Sequence, residues 1–189
     1  NLTVNEGSPY AVFTVTGAAG QYVQLSLTNT SSTSDTDATL GTDTGNAGTS
    51  VPLQYYNGTS WVDYTASSYV QIASTGTTLL VRTAITNDTV SDNNETFKLV
   101  ATNTGGTSTP DTQGVATLKD DGTGSKYLVT NTTGTADSTG PGSGFDDDRA
   151  LSINNLTVNE GSPYAVFTVT GAAGQYVQLS LTNTSSTSD

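Results

Sequence analysis

The sequence predicts an all-β chain: an antiparallel β-sandwich that forms the unit of a tandem repeat. Three observations carry that prediction. Apolar and polar residues alternate at period two through most of residues 1–121, and no 3.6-residue stripe competes. Turn signals rich in Gly, Asn and Asp separate these runs at short intervals. Residues 155–189 repeat residues 1–35 letter for letter, at an offset of 154. So long a period suits domains on a string rather than solenoid units.

The elements follow in order. Ala11, Phe13 and Val15 alternate with Val12 and Thr14, and Thr16-Gly17 ends the run. Val23, Leu25 and Leu27 alternate with Gln24 and Ser26. Gln54 to Val62 reads as a hairpin, with aromatic residues on both arms and Asn57-Gly58 at the turn. Leu79, Val81 and Ile85 are set against Leu80, Arg82 and Thr86. Phe97, Leu99 and Ala101 are set against Lys98 and Val100, and Val115 and Thr117 against Ala116 and Leu118. About seven to nine short strands in this length predict an immunoglobulin-like sandwich. The stretch 122–150 is rich in Gly, Ser and Thr, with only Tyr127, Leu128, Val129 and Phe145 to bury. It reads as a connector holding one strand at 126–130. The expected division is therefore a sandwich at 1–121, a connector with an acidic cluster at 122–154, and the start of the next copy at 155–189. That partial copy cannot close a core alone. It either pairs with a neighbouring molecule or displaces residues 1–35.

Composition removes several function classes. The chain has 189 residues, 33% of them hydrophobic, with 17 acids against 5 bases and a net charge of -12. Nucleic acid is excluded as a partner, because phosphate binding needs clustered Lys and Arg. With no Cys and no His there are no disulfides, no Cys/His zinc sites and no imidazole-based triads. No apolar run approaches the roughly 20 residues of a membrane helix, so direct membrane insertion is not expected. Near-identical copies suit tasks that scale with number, such as reach and avidity, and add little to catalysis. The chain is therefore not expected to be an enzyme.

The acids cluster at strand ends. In a seven-strand sandwich of this order, Glu6, Asp63, Asp88, Asp92, Asp120 and Asp121 meet at one pole. Asp146-Asp147-Asp148 forms a separate run shortly before the next copy. It either holds a second ion with Glu160 and stiffens the junction, or is a solvated linker. Asp35, Asp37 and Asp43 sit in a Thr/Gly-rich loop, where Asp37 and Asp43 have the wrong spacing for an EF-hand loop. Trp61, Tyr55, Tyr56 and Tyr64 form either a sugar-stacking platform or a core and hairpin cluster.

Four segments then resemble one family: Val4-Asn5-Glu6-Gly7, Asp63-Tyr64-Thr65, Ile85 through Phe97, and Thr117-Leu118-Lys119-Asp120-Asp121-Gly122. In order and spacing they resemble the Calx-beta domain, across residues 1–121 with an insertion between about 35 and 60. Tandem copies of this kind resemble the extender repeats of large calcium-dependent bacterial adhesins with RTX-type secretion. The resemblance implies Ca²⁺ held by Glu6, Asp63, Asp88, Asp92, Asp120 and Asp121, with the Val90 backbone carbonyl added. It also implies an extracellular, cell-surface location, neighbouring repeats as partners, and a distal surface or glycan ligand bound by another domain.

The physical case for an ion is independent of that resemblance. Two carboxylates about 5 Å apart at an effective dielectric near 20 repel by roughly 3 kcal/mol. One repeat unit carries fifteen acids and five bases, so its own cations cannot neutralise such a pole. Ca²⁺ can, because it takes 6–8 oxygen ligands in irregular geometry. The expected function is a calcium-rigidified extender. The alternative is an adhesive module whose loop at 35–60 and aromatic hairpin grip a glycan or protein.

Overall fold

The computed structural model describes residues 1–30, 37–45, 52–103 and 112–183. Every regular element among these residues is a strand. The body holds β1 (Leu2–Asn5), β2 (Tyr10–Thr16), β3 (Tyr22–Asn29), β4 (Gln54–Tyr56), β5 (Trp61–Asp63), β6 (Val70–Gln71), β7 (Thr78–Ala84), β8 (Thr96–Asn103) and β9 (Thr112–Lys119). Short strands follow: β10 (Ser125–Lys126), β11 (Ser138–Thr139), β12 (Ser152–Ile153) and β13 (Val169–Thr170). One sheet runs β11-β10-β1-β9-β8-β3-β6 and the other β2-β7-β4-β5. Asp35, and residues 36 and 46–51 of the 35–60 loop, lie outside the described residues.

The two sheets close over one core, as a β-sandwich. Val4, Leu25, Leu27, Phe97, Leu99, Ala116 and Leu118 enter from the first sheet. Ala11, Phe13, Val15, Leu79 and Val81 enter from the second. Phe13 and Phe97 meet edge to face across the gap, with ring centroids 6.0 Å apart. Tyr64 also bridges it: its hydroxyl accepts from the Leu25 N–H and donates to the Ser68 carbonyl. Period-two patterning in the sequence thus becomes in-out alternation, as in β3, where Val23, Leu25 and Leu27 are buried.

Two features differ from the sequence reading. First, β1 runs parallel to β9, with Leu2 opposite Ala116 and Asn5 opposite Lys119, so the larger sheet is mixed. The cause is the switch of sheets between β1 and β2. The chain leaves β1, turns through Glu6 to Pro9, and enters the other sheet, so β1 has no hairpin partner.

Second, residues 122–149, expected as a connector with one strand, pack as a strap onto the sandwich. β10 pairs with β1, and Gly124 (φ +91°) lies so close that a Cβ there would meet the Asn5 backbone nitrogen at 2.7 Å. Tyr127 and Asn131 are buried. The strap covers the outer face of the second sheet, where the alternate positions Val12 and Arg82 need shelter from water. The Arg82 guanidinium lies 3.8 Å from the Tyr10 ring centroid and 4.3 Å from that of Trp61. It donates to the Val129 carbonyl and to Gln54 Oε1, and Trp61 Nε1–H donates to the Asn131 carbonyl. Trp61 and Tyr64 are therefore held as members of the hairpin and core.

The second copy is placed differently from the first. Residues 1–30 supply β1 to β3, while residues 155–183 carry only β13, paired with β12.

Candidate metal centre

Carboxylates from four separate parts of the chain gather at the pole where β1 and β9 end. Glu6 sits on the sheet-switching turn after β1. Asp88, Asp92 and Glu95 occupy the loop between β7 and β8. Asp120 follows β9, and Asp146 and Asp148 are delivered by the end of the strap. Carboxylate oxygens of Glu6, Asp120 and Asp146 all lie within 4.8 Å of one another, and this group can hold a metal ion.

Asn5 assembles the site. It is fully buried, and its side-chain amide donates to the carbonyls of Lys119, Thr123 and Asp146. Its Oδ1 accepts from the backbone N–H of Gly7 and Asp146. One side chain thereby fastens the end of β9, the sheet-switching turn and the strap. Other bonds tie the carboxylates in place. The Asp88 N–H donates to Glu6 Oε1 at 3.1 Å, and the Asp148 N–H to Asp120 Oδ1 at 2.8 Å. Asn93 accepts from the Asp120 N–H and donates to Asp121 Oδ2.

The electrostatics are unbalanced. Asp120 is 1% exposed, yet its Oδ2 has no hydrogen-bond partner; the same holds for Oδ2 of Asp146 and of Asp148. Leaving such oxygens buried and unsatisfied is costly. Burial, with the charges of Asp92, Asp120 and Asp88, pushes the Glu6 carboxyl up to about 7 despite the Asp88 N–H bond. Burial and the acids Asp92 and Asp43 push Glu95 to about 7 as well. Asp146 rises to about 6, through burial and then Asp148. Asp92 and Asp148 are also raised, each chiefly by burial.

The positive charges lie at the periphery. Among the described residues, Arg149 grips Asp147 through two 2.7 Å bonds, and Lys119 lies 3.7 Å from Asp121. The Arg149 bonds hold Asp147 below the usual carboxylate range. Burial acts upward on Asp121, but bonds from Thr123 and Asn93 outweigh it and hold it low. The inner acids have no such cation. All available donors are hard oxygens, which suits a hard divalent cation.

The sequence-derived candidates divide cleanly. Glu6, Asp120 and Asp146 form the central group, with Asp88, Asp92 and Asp148 electrostatically coupled to them. Asp121 and Asp147 stand outside, facing bases. The Val90 N–H donates to Asp88 Oδ1, and Val90 itself is exposed. Asp63 is not at this pole: it faces Gln54 on the neighbouring strand and accepts from Gln54 Nε2 at 2.7 Å. Gln54 in turn faces Arg82, well inside β7, which sets Asp63 back from the strand end. Glu160 is exposed in the second copy. The run at 146–148 is thus no separate cluster with Glu160; its first and last members join Glu6 and Asp120. Asn5, Asp43 and Glu95 are additions that spacing alone did not assign to the site. Asn5 lay in the Val4-Asn5-Glu6-Gly7 segment, but only the folded turn shows its hub role.

The fold and site define a β-sandwich domain with an acidic, metal-competent pole. Comparison with protein-family models, with curated proteins and with solved structures finds no match for this chain.

Proposed function

We propose that this chain is a calcium-binding, calcium-rigidified extender repeat of a cell-surface adhesin, working outside the cell and projecting a distal ligand-binding domain. One observation carries the reading. Carboxylates of Asp120 and Asp146 converge with Glu6 from distant chain segments, Asp120, Asp146 and Asp148 each keep a buried oxygen with no hydrogen-bond partner, and no base forms an ion pair with them among the described residues. In this reading Glu6, Asp120 and Asp146 hold the ion, with Asp88, Asp92 and Asp148 completing its surroundings. A bound Ca²⁺ supplies the positive charge that the pole lacks. The resemblance of the four segments to the Calx-beta domain supports calcium over other hard cations.

The mechanical consequence follows from where the ligands sit. Glu6 and Asp120 belong to the sandwich, whereas Asp146 and Asp148 lie at the end of the strap, just before the next copy. Neutralising their repulsion fastens the exit of one repeat to its own body. The chain then transmits orientation from copy to copy instead of pivoting at each junction. Extracellular modules bind calcium with Kd of about 10⁻⁴–10⁻³ M, so external calcium fills such a site and cytosolic calcium does not. Thermal melts in 10 mM Ca²⁺ and in EDTA test the reading. The expected result is a higher midpoint in calcium; equal midpoints would defeat it.

A second reading, an adhesive module that grips a neutral glycan, is favoured by a groove at the opposite end of the sandwich. Tyr22, Tyr55, Tyr56 and Tyr69 line it beside Asn57 and Gln71. Binding of a single repeat on a glycan array would favour this module over a passive extender.

A further inference from the structure

Leu151 to Asn154 stand between the strap and the second copy, and two of them form β12. β12 runs antiparallel to β13, with Ser152 opposite Thr170 and Ile153 opposite Val169. The Asn154 N–H donates to the Thr168 carbonyl, and the Thr168 N–H donates to Asn154 Oδ1. Thr168, Val169 and Thr170 are the equivalents of Thr14, Val15 and Thr16 in β2. We infer that residues 151–154 are the first strand of the repeat that follows them, laid on the edge of that repeat's second strand, with Ile153 closing its core.

Three observations carry this inference. The first is ladder chemistry. β2 is the last strand of its sheet, with β7 on one side only. The Ile85 N–H donates to the Pro9 carbonyl and the Gly17 N–H to the Thr77 carbonyl, so the odd residues of β2 turn their backbone groups toward β7. Tyr10, Val12, Thr14 and Thr16 turn theirs to the open edge, where among the described residues only Tyr10 is bridged to a further segment, at Tyr127. β12 binds at Thr168 and Thr170, the equivalents of Thr14 and Thr16. It therefore uses the edge that β7 leaves free, and one strand can hold both neighbours at once.

The second is a cleft that matches Ile153. Residues directly opposite in an antiparallel pair share a face of the sheet, so Ile153 lies on the face of Val169. The equivalent Val15 faces the core. Beside Val15, at this edge of the first sandwich, a cleft of about 310 Å³ opens between the sheets, lined by Leu2, Phe13, Leu99, Ala101 and Gly114. An isoleucine set opposite Val15 enters it.

The third is continuity. β12 runs against β13, and β1 runs against β2 across the turn from Glu6 to Pro9, so the chain passes from the first strand into the β1 position without reversing. Ile153 and Leu156, the equivalent of Leu2, are three residues apart and reach about 10 Å, the usual distance between stacked sheets. Asn1 and Leu2 border the same cleft as Val15. The repeat then begins at Leu151, and Ala150 alone separates it from Arg149, which is bonded to Asp147 of the strap. Gln175 Nε2 donates to the Arg149 carbonyl at 2.7 Å, so the following copy also grips the strap at the junction. The inference needs no ion and stands apart from the calcium reading.

Grafting tests it. A copy of residues 150–154 is placed before Asn1 of the full chain and compared, in EDTA, with a graft that carries serine in place of the leucine and the isoleucine. The expected result is a melting midpoint at least about 3 °C higher for the native graft. A smaller difference overturns the inference. A direct readout accompanies it. The chain has no native Cys. With Val15→Cys and cysteine in place of the grafted isoleucine, oxidation is expected to give an internal crosslink, seen as a monomer of shifted mobility. A crosslinked dimer, or no crosslink, overturns the edge pairing.

Discussion

Residues 1–30 and residues 155–183 spell the same strands and meet different surroundings. In the first copy, Val12, Leu25 and Leu27 are sealed in the core; in the second, their counterparts face water. Yet the tight turns agree bond for bond at Asn5 and Asn159, Ser8 and Ser162, and Gln21 and Gln175. Local side-chain to backbone bonds thus write the turns, whereas the strands need a partner surface. Of the seven residues of β2, only the counterparts of the last two, Val169 and Thr170, remain a strand in the second copy. Burial and ladder bonds, not local preference, make β1 to β3.

The largest expected effect comes from striking the centre of the core. Phe97 in β8 is fully buried and packs on Phe13. Phe97→Ala is expected to cost about 3–5 kcal/mol by chemical denaturation. A loss under about 1 kcal/mol would show that the core does not rest on this contact.

The acidic pole gives the next effect, and its sign depends on the solvent. Asp120→Asn removes one of the crowded charges. It is expected to raise the melting midpoint in EDTA and to remove most of the gain from calcium. That gain is about 2.7 kcal/mol when free Ca²⁺ reaches a hundred times Kd. A variant that lowers the midpoint equally in both solvents would mean that Asp120 is only a structural hydrogen-bond acceptor.

Acidity should modulate the same pole. Glu6 and Glu95 have folded pKa values near 7 against an ordinary 4.5. An acid raised in this way adds stability that is complete below pH 4.5 and disappears as pH climbs through 7. Without metal, the melting midpoint is expected to fall between pH 5 and pH 7; with saturating calcium the fall is offset. A metal-free midpoint that rises across this window would contradict the assignment.

The smallest effect belongs to the second copy. Leu181→Asp is expected to change stability by less than about 0.5 kcal/mol, because Leu181 is already in water. A large loss would mean that residues 155–183 are docked in solution.

The same contrast explains what could be read in advance. Alternation at 11–15, 23–27 and 97–101 marked β2, β3 and β8, because one buried face imposes period two. Asn57-Gly58 marked the hairpin, with Gly58 at φ +94°. The strap stayed hidden, since its hold on the body uses backbone carbonyls at Val129 and Asn131, which leave no trace in residue type. β6 was too short to show a pattern, and the strand expected at 126–130 is cut back to Ser125–Lys126. Convergence of Glu6 with Asp120 followed from strand ends. Asp146 joined them only because the strap folds back, and Asp63 dropped away because it stands opposite Gln54 rather than beyond the strand end.

The central claim, that a cation locks the pole, is tested most directly by amide hydrogen exchange with and without calcium. Binding is expected to slow exchange at residues 5–8, 86–95, 120–123 and 145–149, while the core strands β3 and β8 remain protected in both conditions. Unchanged exchange at these four segments at 10 mM Ca²⁺ would contradict it.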